Sequence, residues 1–263
     1  MKLFARFVPV VAGLVMLMNI TPSWGQTPVC GAPGCNPTVS DANGNTAGGT
    51  GALRNVAPEP PLRGVGNTAF GSGALLSNTT GSANTATGAQ ALINFTGDNN
   101  TATGYGTLFF NTTGNRNTAV GAGALTANTT GDNNTATGRA ALAGNTAGVN
   151  NTATGLQALF LNSSGDKNTA LGNYALWQSR GYKNIAIGFT AGVNLAHGNN
   201  NIFIANQGVG DEFQTIRIGT AQTQTFMAGI NTAGVSGTVV VVDANRQLGI
   251  TLSSALHKRD IAP

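Results

Sequence analysis

The sequence predicts an all-β fold, a parallel β-solenoid (β-roll) of about nine 17-residue coils, and three observations carry the prediction. Asn-Thr-Ala or its equivalent recurs with anchors at Asn67, Asn84, Asn100, Asn117, Asn134, Asn151, Asn168, Asn184 and Asn201, in steps of 16 or 17 residues. A glycine stands three residues before every anchor, from Gly64 to Gly198. Only 8% of the 263 residues are charged, whereas glycine contributes 38 and hydrophobic residues 41%. Regularly spaced Ala, Leu, Ile and Val exclude a disordered polar tract, and the shortage of charge excludes an ordinary globular enzyme.

Residues 1–25 read as a secretory signal peptide: Lys2 and Arg6, an apolar run from Phe7 to Ile20, then small and turn residues. Residues 26–63 read as a spacer rich in Pro, Gly and Asn, with "APEPPLRG" as an extended stretch. In an exported chain Cys30 and Cys35 of "CGAPGC" can close a small disulfide loop. Net charge is +4, in part from the leader, and the other basic residues are scattered singly. Without a basic stripe and with few aromatics to stack bases, nucleic acid is not an expected partner.

Within residues 64–207 each coil begins at its glycine. A position that keeps glycine in every copy needs a positive φ or has no room for a Cβ. A second glycine follows each anchor by four, from Gly71 to Gly188, and becomes Ala205 only in the last coil, giving two fixed corners per turn. Between them lies a short strand, Asn-Thr-Ala-x-Gly, whose Thr and x side chains share one face and whose Ala takes the other. That face accepts Ile and Leu in place of Thr, as in Ile185, Ile187 and Leu171, and is expected to be buried. Asn at the strand start is expected to form amide ladders along the axis. Leucine stands eight residues after the anchor, from Leu75 to Leu176, and first fails at Gly192. Stacked, these make an internal ladder, in a segment that is a second short strand or one helical turn. Nine coils spaced like strands give a rod on the order of 40 Å long. A 17-residue turn encloses little apolar area, so exposed walls are expected to pack against identical chains as a homotrimer. Residues 208–252 read as a β neck, with a turn at Asp243 to Asn245, and residues 253–263 as a tail.

The Asn-Thr-Ala-x-Gly coils with Ala-Leu at a fixed offset resemble the head repeats of trimeric autotransporter adhesins, the YadA-like left-handed parallel β-roll. The resemblance implies a trimeric, sticky surface module that binds host matrix or other cells. The following segment resembles the junction before an endosialidase-type intramolecular chaperone domain, through "MAGI" at 227–230, "VDANRQLG" at 242–249, and Ser253, Ser254, Lys258 and Ile261. That family trimerises a fibre and cuts itself off with a serine assisted by a lysine five residues later, the spacing of Ser253 and Lys258. A lysine serves as such a base only when burial lowers its pKa. The eleven residues from Ser253 supply no burial, so the pair is expected to be a vestigial remnant, with no cleavage at Leu252–Ser253.

The expected function is a secreted or surface-displayed, non-catalytic fibrous module, adhesin-like, mediating attachment to a protein or glycan. Two alternatives stand beside it: an ice- or crystal-surface-binding solenoid, from Thr-Ala-Thr stacked in four coils, and a phage-type tail-fibre fragment. No cofactor or metal is expected, since His197 and His257 are far apart and Asp98, Asp132 and Asp166, two residues before their anchors, read as solvated turn residues. With the repeat serving as scaffold, binding is expected on what varies between coils: Tyr105, Phe109, Phe110, Arg139 and Trp177.

Overall fold

The computed structural model describes residues 39–40, 43–54, 64–94, 97–222, 240–242 and 248–250. The leader, Cys30, Cys35, the 227–230 segment, Ser253 and Lys258 lie outside them. Two compact units divide the chain at Thr220 and Ala221. In the first, strand β1 (Val39–Ser40) pairs antiparallel with β2 (Thr46–Gly48), and β2 opens a series of parallel three-residue strands. These continue as β3 (Thr68–Phe70), then through β7 (Thr135–Thr137) and β8 (Thr152–Thr154) to β10 (Ile185–Ile187), β11 (Ile202–Ile204) and β12 (Ile216–Ile218). Each strand pairs with the next in chain order, so the parallel part of the sheet is 11 strands of a β-solenoid, about 17 residues apart. In the second unit β13 (Val240–Val242) and β14 (Leu248–Ile250) form an antiparallel pair, and the expected turn at Asp243 to Asn245 lies outside the described residues. Among the described residues there is no helix, and none is long and apolar enough to cross a membrane.

The stack is longer than the spacer and neck boundaries allowed. Asn45-Thr46-Ala47 adds a strand in register with β3 before residue 64, with Leu53 eight residues after Asn45 and fully buried. The 22-residue step to Asn67 hid it from a 17-residue period. At the other end β12 adds a strand beyond residue 207 without the Asn-Thr-Ala pattern.

The expected burial of the Thr and x face is corrected. Thr135 and Thr137 are exposed and Ala136 between them is buried, and every strand from β3 to β10 repeats this phase. The reason is space. Two buried Asn, an inward Leu and two inward Ala already fill the section of a coil, as Asn134, Asn145, Leu142, Ala136 and Ala141 do in one turn. The exchange of Thr for Ile reports a pleated surface that suits β-branched side chains, not burial.

The Leu ladder runs inside, but its segment is neither strand nor helix. It is a run of turns in which Leu75, Leu125 and Leu176 adopt φ near +50°. Each such leucine donates its N–H to a carbonyl of the next coil, Leu92 to Thr107 O at 3.0 Å and the others to an alanine, as Leu142 does to Ala158 at 2.9 Å. Left-handed backbone costs about 1–2 kcal/mol per residue, and full burial of a leucine returns about 1.5–3 kcal/mol. Burial wins, so the strained conformation persists in every coil that carries the leucine. Where Leu gives way to Gly192, Phe203 replaces the inward strand Ala of the next coil and its ring fills the space, 2.9 Å from where a Cβ on Gly192 would lie.

Two amide ladders line the interior. In the first, Asn134 donates its N–H (3.0 Å) and Nδ2 (3.1 Å) to Asn117 Oδ1 and its Nδ2 to Gly148 O at 2.8 Å, and the pattern recurs from Asn45 to Asn201. The second, eleven residues after the anchors, was not legible as a ladder: Asn128, Asn145 and Asn162 each donate Nδ2 to the Asn Oδ1 one coil earlier, at 2.6–2.9 Å. It stops where Ser179 replaces Asn, leaving Asn162 Oδ1 and Ser179 Oγ both buried without a partner. Ser179→Asn therefore extends the ladder by one rung, and thermal melting should show a gain of about 1 kcal/mol.

Candidate surface for attachment

Three outward walls follow from this coil. The sheet wall carries the residues one and three after each anchor, in register: Thr135 opposes Thr152 and Thr137 opposes Thr154 across β7 and β8. The first rank is threonine without a break from Thr46 to Thr169, then Ile185, Ile202 and Ile216. In the second rank Thr alternates with Phe70, Val120 and Leu171 before ending in isoleucine, and Ile216 and Ile218 of β12 are 66% and 70% exposed.

The second wall, five to ten residues after each anchor, holds all five residues expected to bind. Tyr105 and Arg139 occupy the same column two coils apart, Phe109 and Trp177 share another, and Phe110 follows Phe109. Tyr105, Phe110 and Arg139 are exposed; Phe109 and Trp177 are half-buried. Phe109 and Phe110 meet edge to face at 4.7 Å. Trp177 stacks on Phe160 of the preceding coil, centroids 5.9 Å apart and planes 7° from parallel. Its ring face thus packs along the stack, and its buried Nε1 has no partner. The five residues therefore split into three exposed ones and two half-buried ones, Phe109 against the edge of Phe110 and Trp177 with one face covered by Phe160. Sequence reasoning missed two members of these columns, Phe160 and the exposed Phe189, which the 17-residue offset from Trp177 and the column of Tyr105 would have found.

The third wall carries Asp98, Asp132 and Asp166, while Glu212 turns inward at the end of the stack, 10% exposed, and accepts from Arg217 Nε at 2.7 Å. Asp98, Asp132 and Asp166 each accept, through Oδ1, a backbone N–H from the preceding coil, such as Asn115 N at 2.6 Å on Asp132. Asn115 and Asn199 do the same. These carboxylates substitute for an amide in a further ladder, and among the described residues no three His, Cys, Asp or Glu gather to hold a metal ion. His197 and Asp211 form an exposed pair at 3.3 Å. Asp211 is held below the usual carboxylate range, first by the backbone N–H of His197, against a smaller opposing effect of desolvation.

No family model, no curated protein and no solved structure matches this chain.

Proposed function

We propose that the chain is a non-catalytic fibrous module, exported and displayed at the cell surface, that works by attachment and assembles as a homotrimer through its sheet wall. The observation that supports this is the sheet wall itself: in-register β-branched and apolar side chains point outward over 11 parallel strands. Monomers seldom leave contiguous apolar surface of this kind in water. A wall of paired Thr and Ile is flat, nearly chargeless and self-complementary, which suits identical chains packed side by side. Sedimentation of the chain from residue 26 onward should give three times the monomer mass; a compact monomer would remove the support for this reading.

A second reading draws on the threonine rank. Thr hydroxyls and methyls repeat along the stack at the strand spacing of about 4.8 Å, and they face outward, the arrangement an ice or crystal surface requires. The two readings compete for one wall. Absence of thermal hysteresis in a cooled solution of the protein would dispose of the second.

A further inference from the structure

The second wall is uneven along the stack in a way that its five expected binding residues do not disclose singly. In the coils anchored at Asn117 and Asn134 its outward side chains shrink to Ala122, Gly123, Ala127, Ala140, Ala143 and Gly144, with Thr126 the largest apart from Arg139. The preceding coil raises Tyr105, Phe109 and Phe110, and the following one Leu156, Phe160 and Leu161. Three coil steps separate the two raised coils, about 14 Å at strand spacing. The wall therefore steps down into a trough that crosses the stack, flanked on one side by exposed aromatic rings. Arg139 is exposed within it and has no ion pair among the described residues, where only His197 and Arg217 are so paired.

We propose that this trough binds an acidic saccharide, a chain bearing uronate carboxylates, as the attachment ligand. The inference rests on reading the protein as an attachment module and names its ligand class. Arg139 supplies a planar fork of donors that matches a carboxylate bidentately. Tyr105, 64% exposed, and Phe110, 52% exposed, offer rings against which the C–H faces of sugar rings pack. No Asp or Glu stands at these wall positions in the trough or in the two coils that flank it, so no carboxylate is there to repel an anion.

An acidic peptide fits less well. Extended peptides gain affinity from unpaired backbone groups, and here the backbone is already engaged between coils. Gly123 N donates to Tyr105 O at 2.9 Å, Ala140 N to Ala122 O, Ala127 N to Ala143 O and Gln157 N to Arg139 O, each at 3.0 Å. Recognition is left to the guanidinium and the rings.

Isothermal titration of the full chain with a linear hexauronate tests this. Binding should weaken at least tenfold on Arg139→Gln, on Phe110→Ala and on carboxyl reduction of the sugar, and stay unchanged on Arg180→Gln, which removes an exposed cation from the third wall. Circular dichroism confirms that each variant is folded. No binding, equal binding by Arg139→Gln, or a hexaglutamate peptide bound as tightly would overturn the proposal. Sedimentation of the same samples keeps the two readings apart, because a trimer that ignores the hexauronate refutes the trough and leaves the fibrous module standing.

Discussion

Gly138→Ala is expected to break the coil stack, at a cost on the order of 4–5 kcal/mol. Gly138 sits at φ +129°, where an L side chain is strained, and a Cβ there would lie 2.5 Å from Gly155 O and 2.7 Å from its carbonyl carbon. Neither atom can retreat. Gly155 is fixed by its own N–H to Thr137 O at 2.8 Å and is the equivalent corner of the next coil. Strain of this backbone class costs about 1–3 kcal/mol, and separating two coils forfeits the ladder bonds on both sides. Gly106→Ala is the control. Its φ is +60° with nothing within 4 Å of the added Cβ, and Ala140 and Gln157 occupy the equivalent position in other coils with positive φ. That change should cost about 1 kcal/mol. In urea, Gly106→Ala should shift the midpoint only, while Gly138→Ala should split unfolding into two steps, since a solenoid interrupted at one interface loses nearest-neighbour coupling there. Equal midpoints for the two variants would mean that the corner glycines are not what lets the coils approach.

The two glycine columns show how the sequence carried a true alternative that only the stack resolves. Retention of glycine, unbroken in the first column and yielding only to Ala205 in the second, meant positive φ or a missing Cβ space. At Gly131 it is space alone: an added Cβ would lie 2.5 Å from both Asn128 Oδ1 and Gly148 O, and its φ is not in the left-handed region. At Gly138 both reasons hold. Period and strand positions were equally readable, because they depend on local identity repeated many times.

The phase of the strand was readable too, yet was set by the wrong residue. Asn at the anchor and Ala two residues later lie on one face of a strand. An Asn ladder indoors therefore requires Ala indoors and Thr outdoors, as Asn134, Ala136 and Thr135 are placed. Substituting Ile for Thr looked like evidence of burial, but the space inside a coil was the stronger constraint. Compensation between coils was harder to see. Phe203 fills for Gly192 across eleven residues of sequence, and the trough at Arg139 exists only because two successive coils are small on the same wall. Such features belong to the register between coils, and no single repeat contains them.

The phase correction also bears on function. Outward threonines turn the sheet wall from core into surface, so one wall must now either meet copies of the chain or meet water. The in-register apolar end at Ile185, Ile202 and Ile216 favours copies. A trimer would cover that wall and leave the second and third walls, one chargeless apart from scattered arginines and one acidic and basic, as the surfaces a ligand meets.

Asn134→Asp should cost about as much as the glycine change, on the order of 4 kcal/mol at neutral pH, although it alters one atom. The Asn134 amide is buried, donates to Asn117 Oδ1 and Gly148 O, and accepts from Asn151 N at 3.0 Å and Asn151 Nδ2 at 3.1 Å. An ionised carboxylate keeps the two accepted bonds but has no donor, and it sets negative charge against two oxygens with no counterion inside the coil. The protonated acid recovers one donor. The unfolded chain ionises this carboxyl at ordinary pH while the fold favours its neutral form, so the variant should lose stability as pH rises and regain part of it in acid. Urea midpoints of variant and parent, compared at pH 7 and pH 3.5, measure the difference. It should shrink on acidification, whereas a purely steric defect would leave it constant. Asn133→Asp, one residue earlier on the exposed corner, should show neither the loss nor the pH dependence, which places the effect in the ladder and not in the added charge.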